Sequence, residues 1–138
     1  MKGFIAFVLL LLVTHPSAAK VIFSQDKECQ TLQDCIYLAE EKKSYVHIPS
    51  GTHTVLGDIE VRGINIKGEG NSSILRFENS SFYPIKLKDA YLEDVKVLYA
   101  GVQINDAYSG VKNSVIESSY RHGILVNSHD YNVVGNNI

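Results

Sequence analysis

Two polar segments near the end of the chain carry the residue types best suited to chemistry. Tyr120-Arg121-His122 directly precedes Gly123, and Ser128-His129-Asp130-Tyr131 follows shortly after. An arginine beside a histidine can neutralise the carboxylate of an acidic sugar while the imidazole removes a proton, which is what β-elimination requires. The candidate catalytic residues are Arg121, His122 and His129, and the candidate substrate-binding residues are Tyr120, Asp130 and Tyr131. The alternative interpretation is an ordinary solvated turn rich in polar side chains.

The elements that must position these residues are short. From Ser44 onward, aliphatic residues alternate with polar ones in brief runs, punctuated by Gly, Asn, Ser and Asp. This pattern predicts strands of a few residues each. The predicted inward pairs are Val46/Ile48, Ile59/Val61, Ile64/Ile66, Leu75/Phe77, Ile85/Leu87, Val95/Val97 and Val102/Ile104, followed by Leu125/Val126.

The sequence also repeats itself. Gly101–Asn105 and Gly123–Asn127 match at an offset of 22 residues. The same offset places Val111 on Val133 and Ile116 on Ile138, and a fainter copy places Ile85 on Val102, Leu92 on Val111 and Val97 on Ile116. Periods in the low twenties with short β runs indicate a solenoid whose repeats pair with their neighbours. A leucine-rich repeat has a similar period, but Ile and Val predominate here and favour stacked strands. We therefore expect an all-β, right-handed parallel β-helix.

One helix precedes the strands. Thr31 with Asp34 is typical of an N-cap, and Lys42-Lys43 is favoured at the negative end of a helix dipole. Apolar residues recur between them at helical spacing. The pattern predicts a capping α-helix at Thr31–Lys43, within an N-terminal segment of residues 20–43 that leads into coils at residues 44–138.

The first 19 residues predict a cleaved signal peptide. Lys2 is followed by an apolar run, Gly3–Val13, and small residues stand at Ser17-Ala18-Ala19. The run is shorter than the roughly 20 residues that span a bilayer. We therefore expect a product without a membrane span that is secreted, exposed at the cell surface or periplasmic.

Composition limits the partners. Of the 13 basic residues Lys2 lies in the leader, which leaves 12 against 15 acidic residues. A mildly acidic chain lacks the basic stripe that a phosphate backbone requires, so we expect no nucleic-acid partner.

Cys29 and Cys35 predict a disulfide in an exported chain, closing a small loop and adding about 2 kcal/mol. Buried free thiols are the alternative. The acidic residues Glu93, Asp94 and Asp106 are the one plausible calcium cluster, but Asp106 falls on Ser128 in the next repeat, so the acids do not stack. No cofactor or metal site is predicted.

Three segments resemble the start of the pectin-lyase-like β-helix superfamily. They are Val46–His53, which contains Pro49-Ser50-Gly51, then Ile64–Gly70, which ends in Gly68-Glu69-Gly70, and Ser73–Phe77. The resemblance covers roughly residues 30–138 and implies a parallel β-helix with a polysaccharide or other glycan as partner. Superfamily members include pectate lyases, polygalacturonases, phage tailspikes and adhesins. The resemblance thus implies a lyase of acidic glycans or, alternatively, a non-catalytic structural or adhesin-type β-helix.

His122–Ser128 also resembles a "GHGxSIGS" segment of polygalacturonases. The paired aspartates of that family have no counterpart near Tyr99-Ala100-Gly101, and its "NTD" segment is missing, so hydrolysis of that type is not expected. The sequence stops in mid-repeat at Ile138, which we interpret as the end of a fragment of a larger β-helix protein. Its open last coil would then allow homo-oligomers to form.

Overall fold

The computed structural model describes residues 20–117 and 122–127 with their side chains and residues 133–135 as backbone. Within these ranges the chain forms one helix and fourteen short strands. The strands are β1 Val21–Ile22, β2 Val46–His47, β3 Gly51–Leu56, β4 Ile59–Arg62, β5 Ile66–Lys67, β6 Ser73–Glu78, β7 Ile85–Lys88, β8 Tyr91–Glu93, β9 Lys96–Leu98, β10 Val102–Ile104, β11 Gly110–Lys112, β12 Val115–Glu117, β13 Ile124–Val126 and β14 Val133–Gly135.

The strands stack in three sheets in which every pairing is parallel. Sheet A has the order β1-β2-β5-β8-β11-β14, sheet B is β3-β6-β9-β12 and sheet C is β4-β7-β10-β13. From β2 onward the chain visits A, B and C in turn and then returns to A. A chain that stacks strands in this way is consistent with a parallel β-helix. The structure has three strands per coil.

The core is a set of aliphatic columns that run across the strands. Val102 pairs with Ile85 on one side and with Ile124 on the other, as the repeat predicted. Leu92 pairs with Val111, and Val97 with Ile116, also as predicted. The predicted inward pairs from Val46/Ile48 to Val102/Ile104 are all buried. Each fully buried Val, Leu or Ile contributes about 1.5–3 kcal/mol by leaving water.

One predicted equivalence is wrong by a single residue. Val111 pairs with Val134, and Gly110 pairs with Val133, so the offset at sheet A is 23 rather than 22. The offset at sheet C is 22, because Val102 pairs with Ile124. The corner between β13 and β14 therefore holds one residue more than the corner between β10 and β11. The predicted partner of Ile116, Ile138, lies outside the described residues.

The helix, α1, spans Leu32–Lys42 and confirms the predicted segment. The Thr31 hydroxyl accepts a hydrogen bond from the Asp34 amide at 3.1 Å, which satisfies one of the free N–H groups of the first turn. The chain leaves α1 at Lys43 in a left-handed conformation. Leu32, Ile36 and Ala39 form its buried stripe, which packs against β1, β2 and β4.

Single left-handed residues turn several corners between sheets. Asp94 after β8 and Asn113 after β11 occupy equivalent places between sheets A and B, with φ of 54° and 49°. Asp89, at φ 51°, and Gly63, at φ 68°, do the same between sheets C and A. Asp, Asn and Gly tolerate this conformation better than other residues. The polar punctuation of the sequence therefore corresponds to the corners of the coil.

Cys29 and Cys35 form a buried disulfide that links the segment before α1 to the first turn of the helix. The sequence favoured this pairing over free thiols. Among the described residues, no helix combines the length and apolarity needed to cross a membrane.

Candidate functional site: two grooves beside sheet C

Most of the residues that the sequence singled out lie outside the part of the chain that the structure describes. Arg121, His129, Tyr120, Asp130 and Tyr131 lie outside the described residues, as does the predicted leader at residues 1–19. Their proposed catalytic and binding roles stay predictions.

His122 is the one predicted catalytic residue that the structure describes. It is exposed and stands two residues before β13, at the corner that leads into sheet C. Its carbonyl oxygen lies near Gly101, one coil earlier, where an added Cβ would come within 3.0 Å of it. His122 therefore lies at the end of sheet C where the strands begin.

The acidic residues that the sequence grouped together lie at opposite ends of β8. Asp106 lies between β10 and β11, where its carboxylate accepts hydrogen bonds from the Asp89 amide at 2.9 Å and from the Ser109 hydroxyl at 2.6 Å. Glu93 and Asp94 lie at the opposite end of β8, at the corner between sheets A and B. No group of three or more His, Cys, Asp or Glu residues suited to a metal occurs among the described residues.

The outer face of sheet C carries two polar rows instead. The parallel register aligns Glu60 with Lys86 and then Gln103 in one row. In the second row Arg62 aligns with Lys88, and Asn105 follows directly after β10. Inward residues of the same strands, such as Val61 and Leu87, are fully buried. The alternation that builds the core thus also collects cationic side chains on one outer face.

These rows line a depression of about 240 Å³, which we call the basic groove. Its lining residues are Glu60, Arg62, Lys86, Lys88 and Asn105. It holds three cations against one carboxylate, although the whole chain carries a net charge of −2. An anion is therefore favoured in the groove over a cation.

A second depression of about 280 Å³ lies between α1 and β4, and we call it the tyrosine groove. Its lining residues are Tyr37, Glu40, Glu60 and Arg62. Tyr37 is 59% exposed, so one side of its ring is open to solvent and to a ligand. Glu60 and Arg62 line both grooves, so the two depressions adjoin along β4.

Lys86 is partly neutralised by Asp58, which lies at the corner between sheets B and C. Its Nζ lies 2.9 Å from the Asp58 carboxylate, which also accepts hydrogen bonds from the Ser81 amide and hydroxyl. Burial raises the pKa of Asp58, but the hydrogen bonds from Ser81 and the Lys86 ammonium together lower that pKa below its ordinary value. Asp58 is therefore charged at neutral pH and fixes Lys86 in place.

The second row has more freedom to contact a ligand. Lys88 is exposed and forms no ion pair with any other described residue. The side-chain oxygen of Asn105 accepts a hydrogen bond from Nε2 of Gln103 at 2.8 Å, which leaves the NH₂ group of Asn105 to donate. Arg62 contacts Glu60 at 3.2 Å, but both side chains are more than half exposed, so the pair is weak. Lys88, Asn105 and Arg62 together form a row of hydrogen-bond donors.

Another polar cluster serves the corner between sheets A and B. The Glu69 carboxylate accepts hydrogen bonds from the Ser50 amide and hydroxyl, both at 2.8 Å, and lies 3.7 Å from His47. The Ser50 hydroxyl and amide, with a smaller contribution from His47, lower the pKa of Glu69. Because Ser50 and Glu69 belong to neighbouring coils, we assign this cluster to corner stability rather than to a ligand site.

No protein-family model, curated protein or solved structure matches this chain. The grooves are therefore interpreted from their own chemistry.

Neither groove was predicted from the sequence. The signal that could have revealed the basic groove is the charge at alternate positions, Glu60-x-Arg62 and Lys86-x-Lys88, combined with the register between these strands. The register itself cannot be read from residues 59–62, because they precede the recognisable repeats. The sequence does not indicate that Tyr37 lines a groove, because the residues that it meets there, Glu60 and Arg62, lie about one coil further along the chain.

Proposed function

We propose that this chain is an exported protein of the right-handed parallel β-helix type that binds acidic polysaccharides along the outer face of sheet C. The observation that carries the proposal is the row of donors formed by Arg62, Lys88 and Asn105 beside Lys86. Guanidinium, ammonium and amide groups are suited to the carboxylate or sulfate groups of acidic sugars.

The geometry of a parallel stack supports an extended ligand. Neighbouring strands lie about 4.8 Å apart, which is comparable with the length of one sugar unit. Arg62 and Lys88 stand on neighbouring strands, and Asn105 follows the next one. A polymer that runs across the strands therefore meets one donor at each strand.

Other parts of the proposal rest on the sequence. The leader at residues 1–19 supports export to the cell surface, the periplasm or the medium. The three segments that resemble pectin-lyase-like proteins support a right-handed coil with α1 as its cap, and the contacts of α1 with β1, β2 and β4 suit that role.

Binding is tested with affinity electrophoresis and calorimetry on acidic and neutral polymers. We expect retention by a polyuronate or a sulfated glycan, no retention by neutral cellulose derivatives, and weakening by added salt. A Lys88→Gln/Arg62→Gln double variant should lose most of the affinity. The matched control is Lys67→Gln/Lys112→Gln on sheet A, which removes the same charge from another face. Equal retention of both double variants would contradict the assignment to sheet C.

A lyase activity on the same polymers is the second candidate function. The observation that favours it is the exposed His122 two residues before β13, a strand of the same sheet as the basic groove. In such a reaction the cations neutralise a uronate carboxylate while a base removes the proton at C5. The C4–O bond then breaks, a C4=C5 double bond forms, and the leaving glycosyl oxygen takes a proton from water. The test follows the absorbance of unsaturated ends with and without calcium. Binding without any such product leaves a non-catalytic glycan-binding β-helix.

A further inference from the structure

We infer that the two grooves select a glycan in which acidic and uncharged sugars alternate, in preference to a polymer of consecutive acidic sugars. This inference rests on the proposed function and specifies the class of polymer. It is carried by the different charges of two depressions that share the side chains of Glu60 and Arg62.

The basic groove favours a charged group. Lys88 and the Asn105 NH₂ group are free to contact a ligand within the described coils, and Arg62 lies one rung away from Lys88. Lys86 is already paired with Asp58, so its contribution to an incoming anion is smaller. An acidic sugar above Lys88 therefore meets two cations and one neutral donor.

The tyrosine groove disfavours a second charged group. It holds two carboxylates, Glu40 and Glu60, against the single cation Arg62, and Arg62 is itself 3.2 Å from Glu60. A uronate in this groove would face a net negative lining. A neutral sugar instead finds the exposed ring of Tyr37 as an apolar platform and two carboxylates that accept hydrogen bonds from its hydroxyl or amide groups.

Continuity between the grooves makes the order of sugars matter. Because Glu60 and Arg62 line both depressions, a ligand that fills one and continues across β4 enters the other. A polymer with an acidic sugar at every position must place a carboxylate beside Glu40 and Glu60 whenever it also contacts Lys88. An alternating polymer with its acidic sugar between Arg62 and Lys88 places the next, neutral sugar beyond β4 in the tyrosine groove and so satisfies both linings at once.

The experiment compares three polymers of matched length by calorimetry at low salt. They are an alternating uronate–N-acetylhexosamine polymer (hyaluronan oligosaccharides), a homopolyuronate (oligogalacturonate) and poly-L-glutamate, which presents carboxylates without sugars. We expect the alternating polymer to bind at least fivefold more tightly than the homopolyuronate, and poly-L-glutamate to bind no better than the homopolyuronate.

Two variants locate the selectivity. Glu40→Gln removes one carboxylate from the tyrosine groove and should tighten homopolyuronate binding about fivefold while leaving the alternating polymer nearly unchanged. Tyr37→Ala should weaken the alternating polymer more than the homopolyuronate, and Tyr37→Phe should retain most of the affinity, because the ring face is kept. Glu41→Gln, the neighbouring exposed residue outside both grooves, is the charge-matched control.

The outcomes separate the inference from the proposed function. Binding of both glycans with equal affinity, or no response to Glu40→Gln beyond that of Glu41→Gln, overturns the inference and leaves acidic-glycan binding in place. Failure to bind either glycan overturns both. Tightest binding of poly-L-glutamate would show that the face recognises an acidic protein instead. Circular dichroism of each variant establishes that it is folded.

Discussion

The side-chain amide of Gln33 donates one hydrogen bond to the backbone of Glu60 and accepts another from it. Its Nε2 donates to the Glu60 carbonyl at 3.1 Å, and its Oε1 accepts from the Glu60 amide at 2.8 Å. Glu60 lies in β4, the last strand of sheet C on this side. Gln33 of α1 thus supplies the hydrogen bonds that a further strand would make, and it closes an edge that would otherwise be open to another chain.

Replacing Gln33 is expected to lower stability modestly. Gln33→Ala removes two hydrogen bonds that water partly replaces at this exposed site, so we expect a loss of about 1 kcal/mol in the free energy of unfolding. Gln33→Glu should also destabilise, because a carboxylate cannot donate to the Glu60 carbonyl. Urea unfolding followed by circular dichroism measures both. Gln25→Ala, at an exposed glutamine before the helix, is the control, and an equal loss there would contradict the edge role of Gln33.

Replacing a residue of the buried aliphatic columns is expected to cause a much larger loss of stability. Leu92 is fully buried between Ile66 and Val111 on the neighbouring coils. Leu92→Ala should cost about 2–5 kcal/mol through lost burial and the cavity left behind. Lys67→Ala, on the exposed side of the adjacent strand, should change the unfolding midpoint little. A loss below 1 kcal/mol for Leu92→Ala would contradict the stacked core.

Equivalent glycines on neighbouring coils should respond differently to alanine. A Cβ at Gly101 would lie 2.7 Å from the Tyr83 ring and 3.0 Å from the carbonyl oxygen of His122, whereas a Cβ at Gly123 meets Ile116 at 3.4 Å or more. Gly101→Ala should therefore destabilise the protein by about 1–3 kcal/mol. Gly123→Ala should be tolerated. Thermal unfolding of the pair tests the close approach of the coils at this corner.

Asp58 makes part of the stability depend on pH. Its folded pKa is lowered below the ordinary value of 3.8, so the stabilisation is present above that value and is lost as the pH falls through the folded pKa. Asp58→Asn should be less stable than the parent at pH 7, and the difference should shrink towards pH 2. The effect is small because the side chain is 35% exposed. Glu41→Gln provides the comparison, and a difference that persists unchanged in acid would contradict the role of the Asp58 charge.

Much of the fold was predictable because it depends on local alternation. Ile85, Val102 and Ile124 recur at matching positions, and the structure stacks them as the repeat implied. The offset at Val111 was wrong by one residue, because corner length varies between coils and apolar periodicity does not record it. The grooves were not predictable in the same way. The side chains of Tyr37 and Arg62 come together through the packing of α1 on β4, and Tyr37 belongs to the helix, which lies outside the repeats.

The corners of the coil differ in how much chain they contain. At the corner between sheets B and C, two residues, Gly57 and Asp58, join β3 to β4, whereas residues 79–84 join β6 to β7 one coil later. Despite that difference, β7 and β10 stay in register with their neighbours. The longer corners can therefore accept grafted loops without shifting the rungs. Because the corner between sheets B and C borders sheet C, inserts there would allow new specificities to be built on this scaffold, one coil at a time.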